Sequence, residues 1–185
     1  MFTSLARTAL GAAAFAMLST TAIAEPVLKG DITLGHAIVT VGDIFDNAGA
    51  IAERAIFRAP APGTSGTLSV DDIAKAARTA GIDSFNNQGL DAIRVVREGV
   101  VVEMEMVQDV LAHDLRTRGI LTDAMSMHIA LDAPLPMLTA ASASAPLSLT
   151  ILRYMPGSST FSARMEVAGL DRPLDITGQI QLLID

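Results

Sequence analysis

The strongest constraint on this chain is Arg58-Ala59-Pro60-Ala61-Pro62-Gly63, which lies between two apolar runs and a helical pattern. Neither proline has an amide hydrogen for a sheet ladder, and each biases the residue before it away from helical dihedrals. The segment reads as a stiff, extended connector that reverses near Gly63 and Gly66, where positive φ costs little. Before it, the β-branched run Val39-Thr40-Val41 is stopped by Gly42-Asp43, and a second apolar piece spans Ala55 to Phe57. After it comes a helix. Ser69 caps it, Asp71 and Asp72 occupy the first turn where the dipole favours anions, and Gly81 stands at the exit. Its apolar stripe is Val70, Ile73, Ala74, Ala77 and Ala80.

Elsewhere the pattern is mostly β. Val27 to Leu34 alternates weakly as an edge strand, and Asp46 to Arg54 reads as a short helix. Asp83 to Leu90 is a polar loop. Ile93–Arg97 and Val100–Met104 read as a hairpin around Glu98-Gly99. A second helix runs from about Glu105 to Arg118, with Val107, Val110, Leu111 and Leu115 inward and Gly119 ending it. Met125 to Leu131 alternates as a strand, and the charge-free segment Ala133 to Ser144 is a linker or long loop. Leu147–Tyr154 and Phe161–Val167 form a hairpin around Pro156-Gly157-Ser158-Ser159, and Leu174 to Ile184 is a final strand. The fold class is α+β: a mixed small lobe of strands with two helices over 26–120, then a mainly antiparallel β lobe over 121–185. Ile176, Ile180, Leu182 and Ile184 keep alternating to the end, so this strand is expected to present an open edge. Those four residues, with Pro60, Pro62, Gly63 and Gly66, are the candidate partner-binding residues.

Residues 1–24 have the layout of an export signal. Arg7 supplies the positive start, Thr8 to Leu18 the apolar centre, and Ala22-Ile23-Ala24 the cleavage motif before Glu25. The apolar stretch is short of the roughly 20 residues a membrane span takes. The expected location is the periplasm, with no membrane contact once the signal is removed. Acidic residues outnumber basic ones 20 to 13, a net charge of −7 without a basic cluster, which disfavours nucleic acid and anionic lipid surfaces. Cysteine is absent, so an exported chain of this kind is held by core burial or by a partner.

Reactive constellations are hard to assemble from these residues. His36, His113 and His128 share no ligand spacing, and without cysteine a zinc site would need distant carboxylates. Gly63-Thr64-Ser65-Gly66 lacks the spacing of a nucleophile elbow, and no Gly-Lys-Ser/Thr follows to make a phosphate loop. Glu103 and Glu105 would share a face of an extended strand, but nothing aromatic or apolar surrounds them to raise a pKa. The methionine pairs Met104/Met106 and Met125/Met127 read as core filler, or as an adaptable surface for a client. No catalytic residue, cofactor or metal is expected. The competing readings are a periplasmic hydrolase using His113 or His128, and a generic envelope binding module.

The strings VTVGDIF (39–45), IFRAPAPGTSGTLS (56–69) and the helix through Gly81-Ile82 together resemble the N-terminal region of flagellar basal-body P-ring formation proteins (FlgA-type). The likeness continues more loosely through Ile93–Arg97 and Thr160-Phe161-Ser162-Ala163. It implies a periplasmic assembly chaperone whose partner is the P-ring subunit, with rod proteins as further candidates. Such proteins normally continue into a C-terminal β-clip (SAF-like) domain. Asp185 falls about where it would begin, so 121–185 is expected to be the lead-in to that missing domain.

Overall fold

The computed structural model describes residues 24–184, and the architecture is α+β. The expected leader, including Ala22, therefore lies outside the described residues except for Ala24, which is exposed. Among the described residues no helix is long and apolar enough to cross a membrane.

The first half is assembled from short pieces. They are β1 (Val27–Leu28), β2 (Ile32–Leu34), β3 (Ile38–Thr40), α1 (Val41–Ile44), β4 (Phe45–Asp46), β5 (Ala55–Arg58), β6 (Ser65–Ser69), α2 (Val70–Ala80) and β7 (Ala92–Arg97). β2, β7 and β6 form a three-stranded sheet, parallel at β2–β7 and antiparallel at β6–β7, while β3 pairs with β5 and β1 with β4. The helix expected after the connector is present: Ser69 Oγ accepts from the Asp72 amide at 3.2 Å, and Gly81 closes it at φ +95°. Gly42-Asp43 forms one helical turn where a bend was expected. The Asp43 carboxylate accepts from both the amide and the hydroxyl of Thr40, at 2.7 and 2.9 Å, which starts α1 there. Between Asp46 and Arg54 only a 3-10 turn forms, Gly49–Ile51, with Gly49 at φ +57°.

The second half comprises β8 (Gly99–Val101), α3 (Met104–Thr117), β9 (Met125–Leu131), β10 (Thr139–Ala141), β11 (Leu147–Met155), β12 (Thr160–Val167) and β13 (Leu174–Ile184). Four of these make one antiparallel sheet in the order β11-β12-β13-β9. Its inner face, carrying Leu152, Phe161, Met165, Ile176 and Ile180, packs with Val107, Leu111 and Leu115 of α3.

Three expectations change. Glu98-Gly99 does not close a hairpin: the Glu98 amide donates to Leu34 O at 2.8 Å, and β8 goes on to pair with β10. The segment read as a linker therefore contains a paired strand. Glu103 and Glu105 stand at the N-terminus of α3 and in its first turn, so they do not share a strand face. α3 packs into the second hydrophobic core, and the buried apolar residues of the two cores divide between Val95 and Val102. The second half offers an extended apolar sheet face against which α3 packs its buried side.

Candidate functional site

The sequence-predicted contact residues separate into two groups. The final strand is interior, and this corrects the expected edge: β13 pairs with β12 along Leu174–Gln179 and with β9 along Gly178–Ile184. Ile176 and Ile180 are buried in the core, Leu182 is half-buried, and Ile184 alone is fully out, at 79 % exposure. Alternation to the chain end recorded a core face, and the strand order decided which strand lay outermost.

The outermost strands are β11 and β9, and they are protected differently. β11 is bulged between Leu149 and Ile151, and Arg118 Nη1 donates to its Leu152 carbonyl at 3.2 Å. β9, Met-Ser-Met-His-Ile-Ala-Leu, carries no proline, no acid, no lysine or arginine and no bulge. The Asp132 amide gives to Thr177 O at 3.0 Å, so by antiparallel alternation the amides of Met127 and Ile129 point away from β13. Among the described residues no backbone bond reaches them.

The other group surrounds the connector. Between the β3–β5 pair and the β2–β7–β6 sheet lies a cleft of about 190 Å³. Val39, Leu68 and Val95 make its apolar floor, Pro60 and Arg58 one rim, and Gly66 and Thr67 the other. Gly66 belongs to β6, so the reversal expected there occurs earlier, at Gly63, whose φ is +72°. Pro62 is buried where the two halves meet. A methyl group added to Gly169 would touch its ring, Ala141 and the Arg97 guanidinium. Gly63 packs as closely on Thr139. Thus Pro60 and Gly66 line a cleft, while Pro62 and Gly63 lock the junction.

Two arginines complete this region. Arg97 continues the buried face of Ile93 and Val95 and is 6 % exposed. Its Nη1 donates to the Pro60 carbonyl at 3.1 Å, and its Nε is buried without an acceptor. Arg58 is exposed at the rim. Among the described residues neither forms an ion pair. An arginine in phase with buried apolar residues is a signal that the sequence held, since such a side chain is rarely buried without a purpose.

The histidines lie apart. His36 Nδ1 is 2.6 Å from Ile38 O and its Nε2 is 3.6 Å from Asp43, at an exposed site; His113 and His128 are exposed on α3 and on the outer face of β9. Among the described residues no group of three or more histidines and carboxylates is placed to hold a metal ion. Comparison with protein-family models, with curated proteins and with solved structures finds no match to this chain.

Proposed function

We propose that this chain is a periplasmic assembly chaperone for flagellar P-ring formation that acts by transient contact with the P-ring subunit and transforms no substrate. The family assignment rests on the resemblance over residues 39–82. The mechanism is carried by one observation: β9 is an outermost strand with none of the usual safeguards against pairing. A client strand added there would gain main-chain hydrogen bonds at Met127 and Ile129 without needing a pocket, and would leave when the ring closes. Ser126, His128 and Ala130 would face outward beside it, so the contact would be weakly specified by side chains and suited to brief occupancy.

The test uses the full exported chain and purified P-ring subunit. Capture of the subunit is expected, and Ser126→Lys with Ala130→Lys should reduce it about ten-fold, because charges on an outermost strand oppose pairing. Swimming of a strain that lacks the chain should fail and return with the unaltered gene. Normal swimming, with P-rings intact in the deletion strain, removes the flagellar reading.

A further inference from the structure

The cleft beside the connector supports a binding assignment of its own. Its floor of Val39, Leu68 and Val95 is apolar and, at about 190 Å³, takes one aliphatic side chain. The β6 rim is also backbone with a free side. Arg97 N–H to Thr64 O and Val70 N–H to Asp91 O fix the alternation of the β6–β7 ladder, so Gly66 and Leu68 bond toward β7. The amides of Ser65 and Thr67 then point away from it, and no backbone bond among the described residues reaches them. An extended chain laid along β6 can therefore pair with Ser65 and Thr67 and drop alternate side chains into the cleft.

Charge decides what kind of chain. Acids outnumber bases 20 to 13 in this sequence, yet the rim carries Arg58, which forms no ion pair among the described residues. Behind Pro60 lies the Arg97 guanidinium, which among the described residues has one carbonyl acceptor and a buried Nε without a partner. Two uncompensated positive charges at one apolar cleft favour a carboxylate, which a guanidinium binds through paired, charge-assisted hydrogen bonds. We propose that the β5–β6 cleft binds an extended acidic peptide segment, seating an aliphatic side chain between Leu68 and Pro60, above the buried Val39 and Val95, and a neighbouring carboxylate on Arg58. Arg97 acts as a positioning residue: it holds the Pro60 rim and adds to the field without touching the ligand.

This assignment goes beyond the chaperone reading and does not need a flagellar partner. The probe is a fluorescent hexapeptide of alternating threonine and valine carrying one glutamate, compared by anisotropy with its glutamine counterpart against the full chain at low salt. The glutamate peptide should bind about ten-fold more tightly, the size expected for one charge-assisted contact. Arg58→Gln should abolish that preference while leaving thermal unfolding unchanged, since Arg58 is exposed. Gly66→Val should weaken both peptides by filling the cleft, and binding should slow amide exchange at Ser65 and Thr67. Equal affinity for the two peptides, a preference that survives Arg58→Gln, absence of binding, or protection that maps to β9 each overturns the proposal. None of these outcomes bears on P-ring subunit capture, and loss of capture in the β9 variant leaves the peptide result untouched.

Discussion

The two halves of this molecule solve the same problem by different means. The first half builds its core from strands of two to six residues in three small sheets, closed around α2 by caps and turns. Among the described residues, the second half builds its core on one four-stranded sheet, with strands up to eleven residues long, and a single helix packed against it, the small β8–β10 pair standing apart from that sheet. No buried residue is shared between the two cores. Short strands are fixed by local chemistry, as where Asp43 gathers the Thr40 donors or where Arg54 Nη1 ties the Ala80 carbonyl at 2.6 Å. Long strands are fixed by distant neighbours. The first half can therefore hold an irregular cleft against a rigid rim, while the second exposes a regular strand.

The sharpest way to break the comparison is to empty each core in turn. Ile73 and Leu111 are both fully buried, one in each half. Ile73→Ala and Leu111→Ala should each cost about 2–5 kcal/mol. If the cores are energetically separate, each substitution accelerates amide exchange in its own half and changes the other by under about 0.5 kcal/mol. Equal loss in both halves under either substitution would mean that the Pro62–Gly169 junction couples them into one unit.

Two strand glycines refine the contrast. An added methyl at Gly66 meets nothing, whereas at Gly178 it collides with the Ala130 carbonyl at the crossing where β13 leaves β12 for β9. Gly178→Ala should destabilise by about 1–3 kcal/mol, because backbone must shift. Gly66→Ala should be neutral, or stabilise by about 0.4–1 kcal/mol through the unfolded chain. Denaturant midpoints measure both, and similar losses at the two sites would show that the long sheet is no less forgiving than the short ones.

The same division governs what could be read from the sequence. α2 was legible throughout, because Ser69, Asp72 and Gly81 act within a few residues of themselves. So was the β11–β12 hairpin, whose turn is local. β6 was not: Ser65, Gly66 and Thr67 have no apolar alternation, and β7 alone makes them a strand. The β8–β10 pair was hidden for the same reason, as forty residues separate its partners in a run of small side chains. Whether an alternating strand lies inside a sheet or at its rim is a fact about its neighbours, so β13 read as an open edge although β9 lies outside it. At the cleft, Pro60 and Gly66 were legible as breakers of regular structure. The phase of Arg97 with Ile93 and Val95 was legible too, but its place beside the same rim as Arg58 is set only by the folded register.

Acid provides the mildest probe, and it has one handle in each half. Asp72 is held below its ordinary value of 3.8, first by the hydrogen bond from the Ser69 hydroxyl and then by Lys75; Asp175 is lowered by the hydrogen bonds of Arg164, at 2.7 and 3.0 Å. A carboxyl whose folded pKa lies below its unfolded one binds its proton more readily when the chain is unfolded. Its contribution is therefore complete above the ordinary value and is shed as pH falls through the folded one. Both carboxyls are exposed, so solvent and salt keep each effect small. Amide exchange followed from about pH 5 down to about pH 2 should show Asp72→Asn flattening the acid response around α2 alone, and Asp175→Asn flattening it along β12–β13 alone. High salt should shrink both differences. An Asp72→Asn effect that reached β12–β13 would instead show that the N-terminus of α2 is felt across the Pro62–Gly169 contact, making that contact a conduit between the halves.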